Sequence, residues 1–236
     1  NPPFNYGDWR TENELIDDDR WEGYSVPPVS NANYAWILHI ISKLKKNGSA
    51  AFLLANGALS AGGEEKQIRT KLIQNDLIEA IITLPREMFY STDISVTLWI
   101  INKDKKNSTN LKKYRSTQGE ILFVDLRRAG NEVEKYIELN AEDINRVKDT
   151  YSKWKSTKCK KEYKDFGEYS YSANIDEIKQ NDYSLITSQY VKFINKESTI
   201  DYDKEMKIIQ NEFKEILKEE TKANNLVKSA FKKLGY

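Results

Sequence analysis

Short apolar runs separated by helical or polar segments constrain the fold of this chain most strongly. The runs are rich in Ile, Leu, Val and Phe and lie at 50–54, 77–84, 95–102 and 120–125. Continuous apolar runs of this length are typical of strands buried on both faces of a sheet. Helical spacing in 31–46 and 64–75 places one helix before the first run and one after it. This order predicts an α/β layer with parallel central strands.

The remaining segments predict loops and two further helices. Residues 5–30 lack a helical or strand period and predict a long ordered loop, and the basic segment 103–118 predicts a solvated hairpin loop. Residues 140–155 predict a helix capped by Asn140. A last helix follows from apolar residues at 3–4 spacing, interrupted by Glu220: Met206, Ile209, Phe213, Ile216, Ala223, Val227, Ala230 and Leu234. This seam either contacts a partner or packs on its own domain.

Composition excludes several kinds of site. The chain has one cysteine and one histidine, so a disulfide framework, a zinc cluster and a relay that needs a second histidine are excluded, and we expect no metal. No run approaches 18 apolar residues and no signal-peptide pattern opens the chain, so we expect no membrane contact and a cytoplasmic protein. The net charge of +1 does not indicate a partner.

The first four residues, Asn1-Pro2-Pro3-Phe4, offer a distinct chemistry. The Asn1 amide oxygen and the Pro2 carbonyl can both accept from an exocyclic amine, and the two prolines hold them rigidly without competing N–H donors. Phe4 offers a face on which a planar base can stack. Together these groups predict a site for the amino group of a flipped nucleobase. A trimmed terminus is the alternative interpretation.

These four residues resemble the catalytic motif of S-adenosylmethionine-dependent adenine-N6 DNA methyltransferases. Further segments follow in the order of one family, the modification (M) subunit of type I restriction–modification systems. Asn33-Tyr34-Ala35-Trp36, with His39 in the following helix, is similar to its "ADYAFIQH" type of segment. The other matching segments are 51–59 with Gly62-Gly63, 68–69, 72–73, 77–82, 84–85, 88–92, 96–103, 121–125, 183–186 and 190–191.

The resemblance, which covers roughly residues 1–192, implies a fold and site roles. The fold is the second half of a Rossmann-like methyltransferase sheet, with an antiparallel strand near 96–102, followed by a helical C-terminal extension. Asn1 and the Pro2 carbonyl accept from the adenine N6 amine, Pro3 fixes the turn, Phe4 stacks on the flipped base, and Asn1 lies at the edge of the S-adenosylmethionine site. The implied domains are a catalytic core at 1–135, a mixed extension at 136–200 and a subunit-contact helix at 201–236.

The resemblance also implies binding partners and a cofactor loop that lies outside residues 1–236. The partners are double-stranded DNA, a DNA-specificity subunit and a restriction (R) subunit. The family's main cofactor loop lies upstream of the catalytic motif, so we expect the isolated chain to bind cofactor poorly. Gly62-Gly63 predicts a turn before a helix rather than a phosphate site, and residues 91–94 depart from the family's usual Gly-containing turn. Alternatives are a stand-alone or type II-like adenine methyltransferase, an RNA methyltransferase, and a non-catalytic subunit-bridging fragment.

Other residues that could carry chemistry have simpler interpretations. We expect a hydrogen-bonded structural role for His39, an exposed bystander thiol for Cys159, and a solvated loop rather than a metal site for Asp17-Asp18-Asp19. Trp9, Trp21 and Tyr24 either line a DNA cleft beside Phe4 or hold the loop on the domain.

Overall fold

The computed structural model describes residues 1–89, 93–106, 114–158, 163–192 and 202–233, without the side chains of 203–205. The chain divides into two compact units, Asn1–Phe193 and Ile194–Tyr236. The first unit contains helices α1 (Asn33–Lys43), α2 (Gly63–Gln74), α3 (Ala141–Lys155) and α4 (Ile175–Gln180). Its strands are β1 (Ser49–Ala55), β2 (Ile78–Thr83), β3 (Val96–Asn102), β4 (Glu120–Asp125), β5 (Asn131–Val133), β6 (Tyr136–Glu138) and β7 (Ser170–Asn174). The second unit contains the long helix α5 (Tyr202–Lys233).

The main sheet is mixed and has the strand order β1-β3-β2-β4-β7. Strands β2 and β4 are parallel, whereas β3 lies antiparallel between β1 and β2, and β7 is antiparallel to β4. β1, β2 and β4 therefore run in one direction. The predicted α/β class and antiparallel strand are confirmed, but the sheet centre is not purely parallel, because β3 enters it as a neighbour of both β1 and β2.

Helices cover the two faces of this sheet and form two apolar clusters. Ile81 and Phe123 point into the larger cluster, which the helices α1, α2 and α4 complete. Ile82 and Val124 point into the second cluster, where Trp154 of α3 is fully buried. Successive strand residues thus face opposite clusters, as the two-residue period of a strand requires. This burial on both faces explains the uninterrupted apolar runs of β2 and β4.

Helix starts agree with the sequence at α3 and differ at α1. The Asn140 side chain accepts from the Asp143 N–H at 2.9 Å, and the Asp143 carboxylate accepts from the Asn140 N–H, so α3 begins with a capping box. The N-cap of α1 is Ala32, without a side-chain cap, where the sequence predicted Asn31 or Asn33. Asn31 lies in the turn before the helix, where its side chain accepts from the N–H of Asn33, the first residue of α1, at 2.9 Å.

The basic segment after β3 is not uniformly solvated as predicted. Lys105 is 2% exposed, and its ammonium donates to Asp76 Oδ1 at 2.5 Å and to the carbonyls of Ile78 and Glu120 at 2.9 and 2.7 Å. Burial lowers the pKa of Lys105 even though the Asp76 carboxylate opposes that shift. A buried lysine with these three acceptors ties the starts of β2 and β4 together, whereas its neighbour Lys106 is exposed.

Glu79 is a second buried charge, on β2 between the sheet and α3. It is 0% exposed, and its carboxylate accepts from Asn102 Nδ2 at 3.0 Å and Tyr151 Oη at 2.5 Å and pairs with Lys155 Nζ at 3.0 Å. Burial by itself would raise the pKa of Glu79. The positive charge of Lys155 and the hydrogen bonds from Tyr151 and Asn102 outweigh burial, so the pKa lies below its usual value.

This lowered pKa makes folding stability depend on pH. The stabilisation is complete above the unfolded carboxyl pKa of about 4.3 and is lost as the pH falls through the lower folded value, because the unfolded chain then binds the proton more readily. Urea unfolding between pH 7 and 3 should show a shallower loss of stability in Glu79→Gln than in the wild type. The exposed Glu64→Gln is the control and should follow the wild type. Equal slopes for Glu79→Gln and the wild type would contradict this role.

Candidate functional site

The carboxyl ends of β1, β2 and β4 meet at one edge of the sheet, the position where ligands bind in open α/β folds. Leu84 follows β2 and donates its N–H to the carbonyl of Val96, the first residue of β3, at 3.0 Å. Helix α1 also begins at this edge. The hydroxyl of Tyr34 in its first turn donates to the carbonyl of Ala58, just after β1, at 2.7 Å. We call this the carboxyl edge.

Residues 1–4 lie at the carboxyl edge. The Phe4 ring packs edge-on against Phe89, with ring centroids 6.0 Å apart and planes at 75°, and it contacts the apolar cluster that contains Leu84 and Val96. Asn1 and Pro3 are exposed, and Pro2 is half-buried. Within the described part of the chain, the Asn1 side-chain amide makes no hydrogen bond. The motif therefore presents an uncommitted amide beside a ring that is held in place by packing.

This arrangement suits the recognition of an amino group on a planar ring. Asn1 Oδ1 and the Pro2 carbonyl supply acceptors, and neither proline can donate a backbone hydrogen bond. Phe4 is only partly covered, so part of its surface remains accessible for stacking. The roles of Asn1, Pro2, Pro3 and Phe4 in binding a base stay a prediction.

The contacts that support this motif could not be predicted from the sequence. The backbone N–H of Asn5 donates to Asn33 Oδ1 at 3.1 Å, and Asn33 Nδ2 donates to Asn5 Oδ1 at 2.9 Å. The next residue, Tyr6, accepts from the Ala32 N–H at 2.8 Å. Twenty-eight positions separate the two asparagines, and their pairing leaves no periodic signal that could have revealed it.

The long loop that follows the motif is held on the domain by its tryptophans. Trp21 is 3% exposed and donates its Nε1 hydrogen to the Leu15 carbonyl at 2.5 Å, and Trp9 donates to the Pro28 carbonyl at 2.7 Å. The Tyr24 hydroxyl accepts from Asn75 Nδ2 at 3.1 Å. Of the two interpretations offered by the sequence, these contacts favour loop attachment over a DNA-facing role.

The other candidate residues have ordinary surroundings. His39 Nδ1 lies 3.3 Å from the Arg20 guanidinium, and the hydrogen bonds from Arg20 lower the pKa of Asp18 to about 2. The described residues contain no group of three or more His, Cys, Asp or Glu side chains that could hold a metal ion. Gly63 opens α2 with a φ of 58°, as a turn requires. Cys159 lies outside the described residues.

The family model described as N-6 DNA Methylase matches residues 1–199 of the chain, which includes the motif, the whole sheet and α1–α4. The chain belongs to this family. The N-6 DNA methylase domain thus contains both the candidate site and the fold that supports it. None of the helices in the described residues is long and apolar enough to cross a membrane.

The similar proteins within the N-6 DNA methylase family are methylase subunits of type I restriction enzymes. The chain is 34% identical to the type I restriction enzyme MjaIX methylase subunit of Methanocaldococcus jannaschii, with all of this chain and 42% of that protein aligned. It is 37% identical to the HindI methylase subunit of Haemophilus influenzae, over 81% of this chain and 40% of that protein. The chain therefore spans about two fifths of the length of these relatives.

A solved structure also indicates similarity to the methyltransferase subunits of type I systems. The crystal structure of a type I restriction-modification system methyltransferase subunit from Streptococcus thermophilus superposes with a TM-score of 0.68 at 27% identity. The superposition covers 82% of this chain and 37% of that one. The resemblance to the modification subunits of type I systems, from the Asn-Pro-Pro-Phe motif onward, is thus confirmed by sequence and by fold.

Proposed function

We propose that this chain is the base-binding part of an adenine-N6 DNA methyltransferase, the modification subunit of a type I restriction–modification system. The observation that carries the proposal is the exposed Asn1 amide beside the packed Phe4 ring at the carboxyl edge of an N-6 DNA methylase fold. An exocyclic amine on a flipped adenine fits this pair of groups.

The chain's own residues act by orienting the adenine. Asn1 Oδ1 and the Pro2 carbonyl each accept one hydrogen of the N6 amine, which directs its lone pair away from them. Phe4 stacks on the ring and keeps it in the site. S-adenosylmethionine, when bound beside Asn1, would supply an electrophilic methyl group, and the lone pair that Asn1 and Pro2 leave free would face it. Because Asn1 is exposed, solvent water can accept the proton that the amine loses. Holding both reactants in line supplies much of the acceleration.

The residues described here fit one wall of a cofactor site. Asn1 is exposed and is positioned to border it, but the turn at Gly62-Gly63 lacks the spacing and the ribose-binding acid of a nucleotide-binding loop. We place the main S-adenosylmethionine contacts in the part of the relatives that precedes this motif. The isolated chain is accordingly expected to be inactive.

The edge of the sheet at β1 is where we expect the upstream half of the methyltransferase to pack. β1 lies at the edge of the strand order, and among the described residues it pairs with β3 only. Three apolar side chains on the face opposite α1 are only half-buried: Leu53, Leu98 and Ile100. An unpaired strand edge beside a partly exposed apolar face is suited to further sheet and helices. We place the upstream half of the methyltransferase here.

The long helix α5 is proposed to contact a DNA-specificity subunit, which selects the target in double-stranded DNA; a restriction subunit completes the assembly. The seam residues Met206, Ile209, Phe213 and Ile216 are 55–61% exposed. Phe213→Lys places a charge in this seam and should weaken co-purification with the specificity subunit by at least about tenfold, since losing a buried aromatic anchor costs 2 kcal/mol or more. The chain itself should remain folded.

Asn211→Lys is the matched control for this prediction. It introduces the same charge on the opposite side of α5 and should leave the interaction intact. If Phe213→Lys and Asn211→Lys bind equally well, the seam is not the contact.

The proposed function is tested by identifying the methylated product. The chain is assembled with the upstream part of a type I methylase subunit and a specificity subunit, and labelled S-adenosylmethionine is added with DNA or with RNA of the same sequence. We expect N6-methyladenine in DNA alone, and only when the specificity subunit is present. Methylated cytosine or methylated RNA would contradict the proposal, and transfer without a specificity subunit would indicate the stand-alone alternative. We also propose a cytoplasmic location for the enzyme, where it would meet its DNA substrate.

A further inference from the structure

We infer that Asn33 is a positioning residue for the Asn1–Phe4 motif and acts through a reciprocal amide pair with Asn5. The inference rests on the proposed function and adds a residue that touches neither the base nor the cofactor. In this view, the first turn of α1 holds the motif in its position and orientation.

The amide pair is closed on both sides. Asn33 accepts from the Asn5 backbone N–H at 3.1 Å and donates through Nδ2 to Asn5 Oδ1 at 2.9 Å. A second asparagine in the same turn, Asn31, places its Nδ2 3.5 Å from that oxygen. Both the backbone and the side chain of Asn5 are therefore fixed relative to one helix terminus.

The helix side of the pair is rigid. Asn33 is 1% exposed, and its neighbours in α1, Tyr34 and Ile37, are completely buried. Tyr34 is fixed further by its hydrogen bond to the Ala58 carbonyl. A polar side chain with so little exposure has lost its contact with water, so its hydrogen bonds must be made within the protein. Asn5 provides them.

The motif side of the pair needs this support. Asn5 has a φ of 51°, in the left-handed region that most side chains avoid, although asparagine tolerates it better than most. This conformation turns the chain directly after Phe4, and the Tyr6 carbonyl then accepts from the Ala32 N–H at 2.8 Å. Since Asn1 itself makes no hydrogen bond within the described residues, packing at Phe4 and the pair at Asn5 are the contacts that fix its direction.

One conservative change at this position, Asn33→Asp, should preserve the pairing with Asn5. An aspartate at this position can still accept from the Asn5 N–H and, after the Asn5 amide turns over, from its Nδ2. Its negative charge would also lie at the N-terminus of α1, where the helix dipole stabilises it. Residue 33 must therefore offer a hydrogen-bond acceptor to Asn5, and either asparagine or aspartate can do so.

A set of substitutions at both positions tests the inference. Asn33→Leu keeps the volume but removes the pair, and kcat of the assembled enzyme should fall roughly 10- to 100-fold with little change in KM, because small displacements of reacting groups have effects of this size. Asn33→Asp and Asn5→Asp each keep a donor facing an acceptor and should stay within about threefold of the wild type. The double variant, in which two carboxylates face each other, should lose activity as Asn33→Leu does.

Two readouts separate positioning from general stability and from the proposed function. Hydrogen exchange on the isolated chain should be faster at residues 4–8 and 30–34 in Asn33→Leu and unchanged in β2 and β4. Asn47→Asp, at an exposed loop residue, controls for the added charge. An unchanged kcat in Asn33→Leu, or single aspartate variants as inactive as the double variant, would overturn the inference. If the wild-type assembly transfers no methyl group, the proposed function fails and the positioning role fails with it, whatever the exchange shows.

Discussion

Asn1→Ala is expected to lower kcat for methyl transfer by roughly 10²- to 10³-fold in the enzyme assembled from this chain, its upstream part and a specificity subunit, an effect typical of removing one preorganised hydrogen-bonding group. The reason is that alanine removes an acceptor that orients the N6 amine, while the Pro2 carbonyl and the Phe4 ring remain. Binding of DNA should change little, since contacts to the backbone dominate affinity. Single-turnover rates measure the effect on the transfer step.

Asn1→Asp is the informative companion of this variant. A carboxylate retains an acceptor for the amine, so this variant should keep more activity than Asn1→Ala. Asn47→Ala, at the exposed loop asparagine after α1, is the control and should match the wild type. Full activity in Asn1→Ala would mean that the exposed amide at the carboxyl edge takes no part in the reaction.

Lys105→Met is expected to cause the largest loss of stability, about 2–5 kcal/mol, mainly because two buried carbonyls lose their donor. The substitution leaves the Asp76 carboxylate without its buried partner, which lies 2.5 Å away in the wild type. It also removes the donor to the carbonyls of Ile78 and Glu120, which cannot both find water in this interior. Since domains are stable by only about 5–15 kcal/mol, such a loss should be evident in the yield of folded protein.

Urea denaturation of the isolated chain measures this prediction. The midpoint should move to a lower urea concentration in Lys105→Met, with an unchanged slope if both states keep their compactness. Lys106→Met removes the same charge from the adjacent exposed position and should leave the midpoint near that of the wild type. Equal midpoints in the two variants would contradict the buried role of Lys105.

The sequence predicted most elements because their apolar patterns are local. Runs in β2 and β4 predicted buried strands, and the Asn140 cap predicted α3. The neighbours of β3 could not be predicted in this way, because pairing with both β1 and β2 is set by tertiary contacts. β7 was missed because its sequence, Ser-Tyr-Ser-Ala-Asn, has weak strand signals and is ordered by pairing with β4.

The partners of the buried polar groups could not be predicted from the sequence, because they come from distant parts of the chain. Lys105 stands among exposed lysines in a polar segment, and its burial follows from three acceptors in the turn after α2 and at the starts of β2 and β4. The Asn5–Asn33 pair is likewise a tertiary contact. The motif at residues 1–4 was recognisable because its chemistry is contained in four consecutive residues, but the support that directs it was not.

Complementation of methyl transfer tests the central claim most directly. The upstream part of a type I methylase subunit and a specificity subunit are incubated with DNA and S-adenosylmethionine, with or without this chain, and N6-methyladenine is measured by mass spectrometry. We predict the product only when this chain is present with the other two, and none from this chain alone. Product from the isolated chain, or no product from the complete mixture, would contradict the account.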